Sequence, residues 1–450
     1  MDAPAPLSAH ATPPPVSFAE AFRFWWKLGF ISFGGPTGQI AIMHSELVER
    51  RRWISETRFL HALNYCMVLP GPEATQLATY IGWMMHRTWG GIVAGSLFVL
   101  PSVFILIALS WIYLAYGSVP AVAGIFYGIK PAIVAVVLAA AWRIGSRALK
   151  HPALWLIAAA AFVAIFAFDV PFPAIVLAAA LIGMLGGRFA PHIFATGGGH
   201  AGARSTSGPA LIDEQTPIPE HARFTWSRLW GHAAAGVAIW AMAIGFLVFA
   251  FGWSSDLAQM GWFFTKAALL TFGGAYAVLP YVYQGAVEHY QWLTAAQMID
   301  GLALGETTPG PLIMVVAFVG FVGAWTKELF GADALFWAGT AGALVAAFFT
   351  FLPSFVFIFV GAPFIETTHG KLRFTAPLTG ITAAVVGVIV NLAVFFAWHV
   401  LWPKGFAGGL DGPSALIGAV ALVALFRFKA GIIPVIGACA LAGLAITLVR

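Results

Sequence analysis

Residues 24–83 align without a gap onto residues 263–322 at a constant shift of 239. Phe24, Lys27, Phe33, Gly34, Gly35, Trp53, Pro70, Gly71 and Pro72 match Phe263, Lys266, Phe272, Gly273, Gly274, Trp292, Pro309, Gly310 and Pro311. Further on, the Leu-Pro-Ser at 100–102 returns at 352–354, the shift having grown to 252. A chain that repeats itself in this way must build one unit twice. Each copy is apolar and interrupted twice, by Gly-Gly and then by Pro-Gly-Pro. Such breaks are tolerated inside a hydrophobic segment only under special conditions.

Those conditions follow from the solvent. With 60% hydrophobic, 15% aromatic and only 9% charged residues, the 450-residue chain cannot cover a water-facing surface, which takes about a quarter charged side chains. Apolar runs near 153–168, 226–251 and 408–426 recur along its length and predict a polytopic helical membrane protein. A transmembrane barrel needs alternating strands, which the pattern lacks. The net charge of +5 comes from loop residues without an interleaved aromatic stripe, so no nucleic-acid partner is expected. Cys66 and Cys439 lie in apolar segments without a CxxC or Cys/His cluster and read as packing residues. No metal or cofactor is expected: HExxH, Walker A, nucleophile-elbow and dinucleotide motifs are all missing.

The expected organisation is a disordered tail (1–17), a first membrane repeat (18–187), a Gly/Ser/Pro-rich cytoplasmic linker (188–223), one extra transmembrane helix (224–254) and a second repeat (255–450). One extra crossing would invert the second repeat. Basic residues test this, because equivalent loops of inverted halves should differ in Lys/Arg content. The loop ERRRW at 49–53 becomes EHYQW at 288–292, whereas YGSVP at 116–120 faces the basic GAPFIETTHGKLRF at 361–374. Placing Arg50–Arg52 inside puts fifteen Lys/Arg in the cytoplasm and two, Lys404 and Arg450, outside, with six in or at the ends of apolar segments. The N-terminus is then cytoplasmic and the C-terminus periplasmic.

The first apolar segment of each half, about 18–33 or 256–272, would span only about 24 Å of a core roughly 30 Å thick. The pairs 55–69 with 73–87 and 294–308 with 312–326 meet at Pro-Gly-Pro and predict re-entrant hairpins of half-helices. Paired broken segments at matching positions of inverted halves point to a midplane substrate site in a secondary transporter. Exposed helix N-termini with glycine suit an anion. The expected binding residues are Lys27 and Lys266 as charge partners, with Lys130 as a third, weaker one. Gly34, Gly35, Gly71, Gly273, Gly274 and Gly310 are expected as backbone donors or close-approach positions, and Ser32, Thr271 and Thr308 as hydroxyl donors. Glu73 and Glu306 read as coupling or structural acids, with capping the more ordinary role for Glu73. The bland alternative is that the breaks only kink helices, and that Lys27 snorkels or pairs with Glu20.

The stretches SFGGPTGQIAIMHSELVERRRWISETRF and LPGP, with their echo TFGGAYAVLPYVYQGAVEHYQWLTAAQMIDGLALGETTPGP, closely resemble the chromate ion transporter family in its long two-domain bacterial form. The resemblance covers nearly all of the chain outside the tail and linker. It implies an inner-membrane protein that exports chromate and confers chromate resistance, with sulfate as the chemical look-alike. A homodimer is a separate expectation that the resemblance does not carry. Two other readings stay open on sequence alone: a transporter of sulfate or another oxyanion, and a membrane-embedded enzyme.

Overall fold

A computed structural model of the protein describes residues 13–194, 209–214, 216–217, 219–272, 274–368 and 375–449. Among these residues the chain is helical throughout and forms no strand. The first half consists of α1 (Phe18–Ile31), α2 (Gly35–His44), α3 (Glu56–Cys66), α4 (Glu73–Tyr116), α5 (Pro120–Ala148), α6 (Pro152–Phe168), α7 (Phe172–Phe189) and the single turn α8 (Pro191–Phe194). After α9 (Trp226–Phe251) come α10 (Asp256–Leu269), α11 (Ala275–Tyr283), α12 (Ala295–Thr307), α13 (Val315–Thr326), α14 (Leu335–Thr368), α15 (Thr375–Leu401), α16 (Gly412–Phe426) and α17 (Ile432–Val449). Seven of the described helices are long and apolar enough to cross a membrane, and the protein is a multi-pass membrane protein.

The breaks fall where backbone chemistry requires them. After α1 the chain turns at Gly34 (φ 90°) and Gly35 (φ 66°), conformations open to glycine, and Pro36 sits in the first turn of α2. Gly71 (φ 122°) and Gly310 (φ 104°) play the same part inside the two Pro-Gly-Pro turns. The repeat is reproduced in fine detail. Each second short helix ends in a π-helical segment, Ser45–Arg50 or Gln284–His289. The Trp53 amide then donates to the Leu47 carbonyl, as the Trp292 amide does to that of Ala286. Arg52 (φ 52°) and Gln291 (φ 53°) share the same left-handed conformation.

Arg51 lies over the Phe24 and Trp53 rings at 5.0 and 5.1 Å. At the equivalent place Tyr290 stacks on Trp292 with ring centroids 4.4 Å apart. The aromatic socket is kept while its cationic occupant becomes neutral, which is the charge difference that the loop comparison detects.

The short helices fold back on themselves. Arg51, beyond α2, lies 3.7 Å from Glu20 at the start of α1. In the second half Trp292 Nε1 donates to Asp256 Oδ1 at 2.7 Å, returning the chain to the start of α10. The half-helix opened by Glu73 runs into a sharp bend at His86 and Arg87 (φ 58°, ψ −159°) before the long crossing begins. The second half changes direction through the longer connection 327–334, which falls within the stretch where the repeat shift grows. Beyond that bend the long crossing of α4 runs antiparallel to its repeat equivalent α14: a Cβ built on Gly91 would meet the Phe359 ring and one on Gly95 the Phe355 ring, and at the other end the Trp111 ring lies 6.0 Å from that of Phe336.

Composition predicts a solvated linker, but its described part is docked. Ile212 forms an isolated parallel bridge with Ile54 and is buried. The Ser55 amide donates to the Ile212 carbonyl at 2.8 Å. His221 Nε2 meets the Trp83 carbonyl at 3.0 Å, and burial pushes its imidazole pKa down. Ile212 and Leu211 supply the apolar contacts that the Gly/Ser-rich surroundings conceal.

Candidate functional site where the four breaks meet

The broken segments exchange hydrogen bonds between halves. The Gly71 amide donates to the Thr271 carbonyl at 2.7 Å, and the Gly310 amide donates to the Ser32 carbonyl at 2.8 Å. Gly71 and Gly310 are repeat equivalents, as are Ser32 and Thr271, so the two bonds are related by a pseudo-twofold. Each Pro-Gly-Pro turn therefore closes on the end of the first short helix of the opposite half. Serines of the long helices complete the exchange. A Cβ built on Gly71 would stand 2.5 Å from Ser354 Oγ, and one on Gly310 would stand 2.6 Å from Ser102 Cβ. Ser102 and Ser354 are again repeat equivalents.

Two glutamines secure this crossing. Gln39 Nε2 donates to the Gly310 carbonyl and, at 3.4 Å, to that of Ser32. Gln76 Nε2 donates to the Pro70 carbonyl at 2.7 Å. Their repeat counterparts are Val278 and Val315, so the polar support is concentrated on first-half elements.

The expected site residues are distributed unevenly around this centre. Ser32, Gly71, Thr271, Thr308 and Gly310 are buried at or beside it. The amides of Gly71 and Gly310 are spent on carbonyls, so these glycines are close-approach positions rather than free donors. The hydroxyls of Ser32 and Thr271 return to the Leu28 and Ala267 carbonyls of their own helices, both at 2.7 Å, and that of Thr308 to Gly305 at 3.2 Å. Gly34, Gly35 and Gly274 have positive φ and almost empty space where a Cβ would point, so the Gly-Gly breaks are open. Gly273 lies outside the described residues.

None of the three lysines stands at the crossing. Lys27 projects from the exposed face of α1 that also carries Phe22, Trp26 and Phe30. Lys266 lies over the Trp262 ring at 5.7 Å and lines an open cleft with Asp169 and Glu288. Lys130 Nζ is held 3.4 Å from Asp300 Oδ2, an oxygen that also accepts from the Tyr113 hydroxyl at 2.8 Å. The acids differ from one another as well. Glu306 is buried and accepts from Tyr276, tying the second Pro-Gly-Pro turn to the start of α11. Glu73 is half-buried, caps nothing with its side chain and has no ion-pair partner among the described residues.

Sequence reading missed Gln39, Gln76, Ser102 and Ser354. The repeated Leu-Pro-Ser was the signal for the serines, but it served there only as a marker of the duplication. Reading also missed two buried clamps, one toward each end of α4. Near one end Glu366 accepts from both Arg58 and Tyr80; toward the other Asp300 is held by Lys130 and Tyr113.

Duplicated membrane repeats whose broken helices meet at an interface between halves are the architecture of a secondary transporter. The chain belongs to the chromate transporter family, which matches residues 19–184 and 258–444 and so covers both halves. It is 33% identical to the chromate transport protein of Pseudomonas aeruginosa over 97% of this chain and 94% of the relative. It is 30% identical to that of Cupriavidus metallidurans over 95% and 92%. A Bacillus subtilis protein described as an uncharacterized transporter is 30% identical over 29% of this chain but 72% of its own length, so a protein of roughly one repeat exists. No solved structure matches the chain.

Proposed function

We propose that the protein exports chromate across the bacterial inner membrane by alternating access and thereby confers chromate resistance. The halves lie in inverted topology, with Arg50–Arg52 and the N-terminus cytoplasmic and the C-terminus periplasmic. The observation that carries this reading is the paired exchange of glycine amides across the crossing. It makes the breaks a double hinge near mid-depth, with helix N-termini on both sides. Antiparallel α4 and α14 support the inversion, and the buried clamps at Glu366 and Asp300 are suited to open in turn as one half rocks on the other.

The oxyanion binds at the crossing, where helix N-termini favour negative charge. The lysines play no direct part there, and this suits transport: a dianion salt-bridged to buried lysines would leave slowly. Export of two negative charges from an inside-negative cell is favoured by about 4.6 kcal/mol per 100 mV. Glu73, without a cation, is the residue placed to carry a coupling proton. Sulfate shares the charge and shape of chromate and competes for the same site.

Inverted vesicles carrying the protein test this directly. Chromate uptake is expected to accelerate when the lumen is made positive and to be slowed by sulfate, while vesicles lacking the protein show neither effect. Uptake that is indifferent to the sign of the potential would remove electrogenic export. No uptake of chromate under any gradient would remove the substrate assignment.

A further inference from the structure

Five buried side-chain atoms beside the crossing have no hydrogen-bond partner among the described residues, Gln39 Oε1, Thr75 Oγ1, Gln76 Oε1, Ser102 Oγ and Ser354 Oγ, and α4 carries a further one, Ser110 Oγ, two turns beyond Ser102. Each of these residues is 1% exposed or less. Buried polar atoms left unpaired are rare and call for an explanation by water, an ion or function. Serine and threonine in helices usually return their proton to the carbonyl four residues back. Ser32, Thr271, Thr79 and Thr350 all do so here. Ser102 and Ser354 do not, although each follows a helix-interior proline, Pro101 or Pro353.

We propose that Ser102 and Ser354 are the hydroxyl donors to the transported oxyanion, one in each of two pseudo-equivalent subsites that neither half can build alone. The inference rests on the reading of the crossing as the oxyanion site. In one subsite Ser354 of the second half stands against Gly71 of the first, and in the other Ser102 of the first half stands against Gly310 of the second. Both glycine amides already serve the carbonyls of Thr271 and Ser32, so the hydroxyl protons are what these places offer an acceptor. Thr75, in the first turn of the half-helix that follows Gly71, adds a third unpaired hydroxyl. The glutamine amide nitrogens are committed to turn carbonyls. Their free oxygens face the opposite way chemically and accept from water accompanying the ion. Neutral donors select a tetrahedral oxyanion without the charge pairing that would trap it.

The test is binding of radiolabelled chromate and of radiolabelled sulfate to the purified full-length protein in detergent, read beside its thermal unfolding midpoint. Removing one hydrogen bond to a charged ligand is expected to weaken binding by roughly 10- to 150-fold in Ser102→Ala or Ser354→Ala. Because the hydroxyls have no hydrogen-bond partner among the described residues, the midpoint should stay level or rise. Ser102→Cys and Ser354→Cys keep the side-chain size while supplying only a weak donor, and they too should lose affinity. Wild-type affinity in the alanine variants would overturn the proposal. So would lost binding accompanied by a lower midpoint in alanine variants with affinity retained in the cysteine ones, since that pattern belongs to packing. A wild-type protein that binds neither anion would instead overturn the oxyanion reading itself.

Discussion

Gly310→Ala is expected to abolish transport and to lower the unfolding free energy of the purified protein by about 2–6 kcal/mol. Two independent terms make up this loss. The backbone at φ 104° lies where an L-side chain is strained, and the added Cβ would stand 2.6 Å from Ser102 Cβ and 3.0 Å from Ser102 Oγ. Adding Ser102→Gly should relieve the collision but not the strain, recovering about half of the stability in a denaturant titration. Gly34→Ala is the internal comparison: its φ is 90°, yet the nearest atom to a Cβ is 3.7 Å away, so only the strain term applies. If Gly310→Ala unfolds like the wild type, the Pro-Gly-Pro turn is free to shift and is not the fixed hinge described above.

The second large effect is at the clamp between Arg58 and Glu366. Glu366 is 3% exposed and is paired with both Arg58 and the Tyr80 hydroxyl. Arg58→Met leaves that carboxylate buried without its cation, which costs about 3–5 kcal/mol. The same change also removes one anchor of the linker, because Arg58 Nε donates to the Asp213 carbonyl at 3.2 Å. Arg58→Met with Glu366→Gln should be less unstable than Arg58→Met alone, since the second change removes the unpaired charge. A double-mutant cycle measures that coupling. Strictly additive losses would show that the two residues contribute separately and that no clamp exists.

Much of the architecture was legible because it is written in local chemistry. Glycines at 34, 35, 71 and 310 and prolines around them dictate turns wherever they occur, and the duplication showed that these turns matter twice. The boundaries of α1, α3 and α12 lie within a few residues of those read from the sequence. Side-chain direction was harder. Apolar residues lie on both the buried and the exposed faces of α1, so periodicity does not separate the lipid side from the protein side, and Lys27 and Lys266 read as inward from their equivalent positions and from the cost of a charge within the membrane. The partners of Gly71 and Gly310 were equally hidden, because each lies in the other half. Ser102 and Ser354 went unread because small hydroxylated residues are ordinary packing elements in membrane helices. Only a complete hydrogen-bond inventory distinguishes them from Ser32 and Thr271, whose protons are already committed.

The exchange between halves also sets a condition on biosynthesis. Gln39 grips the Gly310 carbonyl 271 residues away along the chain. At roughly 5–20 residues per second, some 14–55 seconds of translation separate the emergence of the two. Throughout that interval the Ser32 carbonyl has left the ribosome without the Gly310 amide, which makes the shorter of its two hydrogen bonds. An uncapped polar break is poorly tolerated in hydrocarbon, so the first hairpin must wait in contact with water or inside the insertion machinery. Its final seating is thus a late event that waits for residue 310.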